Sequence, residues 1–241
     1  MKAMVLSAGM GTRLGGLTRD VPKPMLEVQG RPILAHILAN LARHGFDQVV
    51  INLHFQPAAI RDHFGNGEAF GLRITYLEET SLLGTAGGVK NAEAFLQGPD
   101  PVLVHFGVVL TDQYFTAMLA FHRQHEAQAT LLLHQRARSN SIVCLDVDQR
   151  VEMLLERPDE EARSRVSSPW VNSGVYLLEP SMFDTIPTGL ACDLPRDVLP
   201  ELITHRRVFG FPLTGYRCAI DSPERLEQAR ESLAHLDWPR I

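Results

Sequence analysis

A short apolar strand, Met4-Val5-Leu6, runs directly into Ser7-Ala8-Gly9-Met10-Gly11-Thr12-Arg13-Leu14, and Pro22-Lys23-Pro24-Met25-Leu26 follows downstream. A strand that ends in a loop of small residues lets backbone N–H groups approach a phosphate chain closely, because glycine has no Cβ in the way. Arg13 and Lys23 add two cations suited to phosphate oxygens, one a planar fork and the other a point charge. The loop is not a Walker loop, since no Gly-Lys-Ser/Thr follows. It is not the dinucleotide fingerprint either, since the third glycine is missing.

The rest of the chain alternates strand-like and helix-like segments, which predicts an α/β fold with a mainly parallel sheet. Pro32 opens an apolar-periodic run (Ile33, Leu34, Ile37, Leu38, Leu41) that ends near Gly45, with proline early and glycine at the exit as in a helix. Strands are expected over 48–53, 73–77, 101–106, 130–133, 171–178 and 208–212, and an antiparallel excursion over 141–156 turns at Asp148-Gln149. Helices are expected over 57–64, 84–96, 117–125, 197–204 and 223–236. The polar stretch Asp159–Ser168 has no periodicity and reads as a surface loop. With no repeat or linker, residues 1–241 read as one domain, with a nucleotide half over about 1–112 and an acceptor half over about 113–241.

Composition narrows the partners. A net charge of −5 argues against a nucleic-acid backbone, which calls for a basic surface. No stretch approaches the roughly 20 apolar residues of a membrane span, and the opening apolar run is too short for a signal peptide. Cys144, Cys192 and Cys218 lack metal-type spacing, so reduced thiols in a cytoplasm are expected. The ten histidines repeat no zinc pattern and read as packed or solvated side chains. His105, two residues before Gly107, is the one to watch.

The motif A-G-x-G-T-R-L with a downstream P-K-P-M-L resembles the sugar-1-phosphate nucleotidyltransferases, and the resemblance extends over most of the chain. It implies a three-layer Rossmann-like fold with a mainly parallel mixed sheet. In that family's pattern, Arg13 and Lys23 would act on the triphosphate. Leu6, Ala8, Gly9, Met10, Gly11 and Thr12 would line the nucleotide, together with Glu79 and the segment Gly84-Thr85-Ala86. Glu156-Arg157-Pro158 is similar to the family's E-K-P, with arginine for lysine, and Val171-Asn172-Ser173-Gly174-Val175-Tyr176 to its N-x-G-[IV]-Y. Glu156, Arg157, Asn172 and Gly174 would therefore hold the sugar phosphate. The implied reaction condenses a nucleoside triphosphate with a sugar-1-phosphate, releasing pyrophosphate, with Mg2+ as cofactor. The motifs most resemble the mannose- or heptose-1-phosphate guanylyltransferase branch, which favours GTP. A monomer or homodimer in the cytoplasm is the expected form.

The implied metal site departs from that pattern. The family form G-D-x-L-x-D appears here as Gly107-Val108-Val109-Leu110-Thr111-Asp112, so Val108 stands where a metal-binding aspartate is expected. Asp112 is four residues on, roughly 13 Å away in extended chain, and substitutes only if the backbone turns back. Near the C-terminus, Ala219 falls in the register of the second aspartate, while Asp221, two residues on, reaches the same side of a strand. Asp221 is thus the expected metal ligand, with Ser222 the better candidate for capping the closing helix. Two readings stay open: a working transferase impaired at Val108, or a degenerate homologue that binds nucleotide or nucleotide-sugar without turnover.

Overall fold

The computed structural model describes residues 1–137 and 139–236, with Thr12 and Arg13 described in backbone only. In chain order the elements begin with β1 (Lys2–Leu6), β2 (Glu27–Val28), β3 (Arg31–Pro32), α1 (Ile33–Arg43), β4 (Gln48–Leu53), α2 (Pro57–Phe64) and β5 (Arg73–Glu78). Next come α3 (Gly84–Asn91), α4 (Glu93–Leu96), β6 (Val102–Phe106), β7 (Val109–Thr111), α5 (Phe115–Gln124), β8 (Ala129–Gln135), β9 (Ser141–Leu145) and β10 (Val151–Glu156). The chain then forms α6 (Glu160–Ser164), β11 (Trp170–Leu178), α7 (Leu199–Thr204), β12 (Val208–Pro212), β13 (Arg217–Ala219) and α8 (Pro223–His235). The α/β class with a mixed sheet is the one expected. No helix among the described residues is long and apolar enough to cross a membrane.

Two compact units are interleaved along the chain. The first comprises Met1–Leu82, His105–Phe115 and Gly215–Ile241, and the second Leu83–Val104 and Thr116–Thr214. The division therefore does not fall at a single point near 112. The C-terminal segment belongs to the first unit because β13 pairs antiparallel with β7, Ala219 opposite Val109 and Arg217 opposite Thr111.

In the first unit β1, β4 and β5 form a parallel ladder, with Val5 opposite Ile51 and Ile51 opposite Tyr76. β1 and β4 are apolar almost throughout, as strands covered on both faces are. α1 buries Ile33, Leu34, Ile37, Leu38 and Leu41, the periodic set that marked it in the sequence. Its Asn40 amide reaches the carbonyls of Thr111 and Gln113 at 3.2 and 3.3 Å, tying the helix to the end of β7. The closing helix α8 is capped by Ser222, whose hydroxyl accepts from the Arg225 N–H.

The second unit is mixed. β11 runs antiparallel to β8, β8 is parallel to β12, and β9 and β10 form the expected antiparallel excursion. The stretch read as a plain loop contains α6: the Asp159 carboxylate accepts from the Ala162 N–H at 2.7 Å, so a capped turn forms without any apolar periodicity. β2, β3, β7 and β13 are two- or three-residue strands, too short to leave a period-two signal.

Candidate active site

The glycine loop leaves β1 in the first unit. Gly11 sits at φ +67°, and a β-carbon there would stand 3.2 Å from the Thr18 methyl and 3.3 Å from the Lys23 β-carbon. Glycine is thus required twice over, by backbone conformation and by the close approach of Thr18 and Lys23. The Gly11 carbonyl accepts from the Leu14 N–H and from the Thr18 hydroxyl, both at 3.0 Å, which closes the loop on itself. Gly9 and Met10 at the tip are exposed, Ala8 is buried, and Lys23 is only 9% exposed, held in the single turn Lys23–Met25. The backbone of Arg13 lies in the turn Thr12–Thr18; the side chains of Thr12 and Arg13, both expected at the site, lie outside the described residues.

A buried polar relay supports the root of the loop. The Ser7 N–H donates to the Asn52 amide oxygen at 2.7 Å, and the Asn52 amide nitrogen donates to the Glu79 carboxylate at 2.7 Å. His54 Nδ1 lies 2.7 Å from the Glu79 carbonyl. Glu79, expected to meet the nucleoside, is thus a buried carboxylate tied to the loop through Asn52. Sequence reasoning passed over Asn52, although an asparagine inside the apolar run Val49-Val50-Ile51-Asn52-Leu53 is itself a signal that a buried partner waits for it.

Three of the positions discussed for metal binding also lie in this unit. Gly107 donates its N–H to the Leu6 carbonyl at 2.8 Å, and the Val108 carbonyl accepts from the Ile220 N–H at 2.9 Å. The β7–β13 ladder therefore brings the Val108 turn to within one residue of Asp221. Asp221 is half-exposed and its carboxylate is 3.9 Å from the Arg225 guanidinium. Asp112 is otherwise engaged: its carboxylate accepts from the Tyr216 N–H at 2.6 Å and lies where a β-carbon on Gly215 would stand. It fastens the loop before β13. No group of three or more His, Cys, Asp or Glu residues able to hold a metal occurs among the described residues. Magnesium wants hard oxygen ligands; Val108 offers hydrocarbon and Asp221 a carboxylate near a guanidinium, so these residues do not fit a prebuilt two-carboxylate site. His105 belongs to the core: it is 1% exposed, its Nδ1 lies 2.9 Å from the Phe106 carbonyl, and burial pushes its pKa down to about 4.

The remaining expected residues lie in the second unit. At the opening of α3 a β-carbon on Gly84 would stand 2.4 Å from the Cys192 carbonyl oxygen, and one on Gly87 would stand 2.7 Å from that of Leu190. These glycines admit the 190–193 backbone. The Ala86 and Gly87 N–H groups donate to the Cys192 carbonyl at 2.9 and 3.2 Å, and the Thr85 N–H donates to the Asp193 carboxylate at 3.1 Å. Asp193, which the sequence did not flag, also meets the Thr85 hydroxyl at 3.2 Å and contributes to raising the Glu156 pKa, behind burial and against Arg157. Thr85, Asp193 and Glu156 are thus electrostatically linked. Arg157 is exposed and sits at φ +52°, an uncommon conformation for a residue with a side chain; its N–H donates to the Asn140 carbonyl.

Asn172 and Gly174 build an irregularity in β11. The strand's register against β8 shifts between Asn172 and Tyr176, and Gly174 adopts φ +79°. The Asn172 amide oxygen accepts from the Gly174 N–H at 3.1 Å while its amide nitrogen donates to the Tyr176 hydroxyl at 2.6 Å. The asparagine shapes the bulge, a device that re-aims side chains beside functional sites.

The fold is thus α/β, with a glycine loop at the end of its first strand beside a buried lysine. Residues 2–213 match the family described as Nucleotidyl transferase, and the chain belongs to that family, among the sugar-1-phosphate nucleotidyltransferases. It is 34% identical over 226 residues to a mannose-1-phosphate guanylyltransferase of Mycobacterium tuberculosis, covering 92% of this chain and 61% of that protein. It is 33% identical over 219 residues to a UTP–glucose-1-phosphate uridylyltransferase of Synechocystis, covering 84% of this chain and 55% of that protein. The chain thus spans about three-fifths of the length of these relatives. A crystal structure of a UDP-glucose pyrophosphorylase complexed with UDP-glucose shares the fold, with a TM-score of 0.83 at 17% identity over 97% of this chain and 98% of that one.

Proposed function

We propose that the chain joins a nucleoside triphosphate, GTP in the favoured reading, to a sugar-1-phosphate and releases pyrophosphate. The observation that carries this is the Ser7–Leu14 glycine loop, whose Gly11 leaves room for the stem of the buried Lys23. The reacting groups are both anions: a phosphate oxygen of the sugar attacks the α-phosphorus, and the bond to the β-phosphate oxygen breaks. Little covalent work falls to the protein, whose task is placement and charge neutralisation.

In this reading Lys23 and Arg13 offset the triphosphate charge, and the loop N–H groups orient it. Glu79, held by Asn52, is assigned to the nucleoside, and so are Gly84, Thr85 and Ala86. Arg157 neutralises the sugar phosphate, while Glu156 and the Asn172–Gly174 bulge shape the sugar pocket. A phosphate monoester is already largely deprotonated at pH 7, so no general base is needed for the attack.

A second reading is a homologue that binds nucleotide without turnover, and Val108 favours it. Pyrophosphate release, measured with magnesium across four nucleoside triphosphates and a panel of sugar-1-phosphates, separates the two. Turnover with one pair supports the transferase. Nucleotide binding without turnover supports the binding protein.

A further inference from the structure

α3 opens without a capping side chain of its own. Leu83 stands at its head, and the cap comes from a segment far along the chain. The Cys192 carbonyl accepts from the Ala86 and Gly87 N–H groups at 2.9 and 3.2 Å, and the Cys192 N–H donates to the Leu83 carbonyl at 2.9 Å. These backbone bonds already close the opening. Asp193 adds a carboxylate to them. Its Oδ1 accepts from the Thr85 N–H at 3.1 Å and from the Thr85 hydroxyl at 3.2 Å, 108 residues away in sequence. The Leu194 N–H donates to the same hydroxyl oxygen at 2.8 Å. Both donors of Thr85 are thus engaged by one carboxylate oxygen.

A carboxylate is an unfavourable choice if the task is only to close a helix. The Asp197 carboxylate lies beside it, accepting from the Asp193 N–H at 2.7 Å while holding Arg196 at 2.9 and 3.1 Å. The half-buried Glu156 has its pKa raised, chiefly by burial and, against Arg157, also by the Asp193 charge. Like charges so placed disfavour each other, and the exposed Arg196, 3.5 Å from Asp193, is shared among them. A neutral side chain would relieve that repulsion. What the acid contributes is a fixed position for Thr85. The turn Leu194–Val198 packs against both α3 and β10, the strand that ends in Glu156, so Asp193 stands where the Gly84–Ala86 turn meets the rest of the second unit.

We infer that Asp193 is a positioning residue, whose two bonds to Thr85 set the Gly84–Ala86 turn in the conformation that receives the nucleoside of the triphosphate. This rests on the nucleotide reading given above, in which that turn meets the nucleoside.

The test is calorimetric binding of each of four nucleoside triphosphates and of inorganic tripolyphosphate to the unaltered chain, Asp193→Ala and Asp193→Asn, with thermal unfolding of each in the absence of ligand. Asparagine keeps an Oδ1 acceptor for Thr85 and removes the charge. Asp193→Ala is expected to bind the preferred triphosphate about tenfold more weakly, the scale set by hydrogen bonds to a charged group. Asp193→Asn should bind it within about threefold of the unaltered chain. Both variants should unfold cooperatively within about 5 °C of the unaltered chain, because the Cys192 backbone bonds remain. A change of less than about threefold in Asp193→Ala overturns the inference and leaves the nucleotide reading intact. So does an Asp193→Asn that binds no better than Asp193→Ala, or a parallel fall in affinity for tripolyphosphate, which carries no nucleoside. A larger drop in unfolding temperature, or loss of cooperative unfolding, also overturns it, because the residue would then hold the fold as a whole. If the unaltered chain binds none of the four triphosphates, the nucleotide reading falls and this inference falls with it.

Discussion

Replacing Val108 by aspartate is the sharpest perturbation available. The side chain is half-buried in the turn between β6 and β7, and its carbonyl is held by the Ile220 N–H at 2.9 Å. Asp221 follows directly. The substitution removes about 1 kcal/mol of partial apolar burial and introduces a second carboxylate close in the chain path to Asp221. Two like charges so placed disfavour each other in the absence of a cation. Val108→Asp is therefore expected to be less stable than the parent by about 1–2 kcal/mol in chelator. Magnesium should reverse the loss, because an ion bound only by the folded state contributes about 2.7 kcal/mol at 100 times its dissociation constant. The parent chain, with one carboxylate beside Arg225, should show little such shift. Pyrophosphate release should rise at least about tenfold in the variant, equivalent to about 1.4 kcal/mol of transition-state stabilisation. The assay pairs turnover with unfolding curves in chelator and in magnesium. A cooperatively folded Val108→Asp with neither a magnesium-dependent gain in stability nor a gain in turnover would refute the alignment of this strand with the family's metal-binding turn.

Two further outcomes test the packing. Gly84→Ala places a β-carbon 2.4 Å from the Cys192 carbonyl at φ +72°, so backbone must shift at the opening of α3. A loss of about 2–3 kcal/mol is expected, read as a fall of about 5–10 °C in unfolding temperature; an unchanged melting curve would mean the 190–193 segment does not pack as described. His105, pushed down to about 4 by burial, stays neutral in the folded chain while the unfolded chain takes up a proton near its ordinary value. The unfolded state thus binds more protons between those values, and stability falls as pH drops through that window. Denaturant titrations at pH 7.5 and pH 5 should show about 2 kcal/mol of this loss disappearing in His105→Leu; an unchanged pH dependence would refute the assignment.

What was legible in the sequence follows from periodicity and local chemistry. Long elements such as α1, β4 and β11 announced themselves because burial repeats along many residues. The two-residue strands β2 and β3 had no room for a pattern. α6 was hidden for a different reason: its stability comes from the Asp159 cap and not from an apolar face. The interleaving of the two units depends on β13 returning to β7, a pairing that spans more than a hundred residues of chain and leaves no local mark.

The site divides along the same line. Its glycines were conspicuous, yet a glycine in a sequence does not say what approaches it. Gly11 makes room for the side chains of Lys23 and Thr18, whereas Gly84 and Gly87 make room for the backbone of residues 190–193. The side chains that decide between such roles are the ones that pair across distance: Asn52 with Glu79, Asp193 with Thr85, Asp112 with Tyr216. Asp112 is the instructive case. Its spacing from Gly107 made it a candidate stand-in ligand, but the Tyr216 N–H occupies its carboxylate, and loosening that bond would also loosen the loop that delivers Asp221. A substitute metal site built on both carboxylates would therefore work against itself. That leaves repair at position 108 as the economical route to a second ligand in this framework.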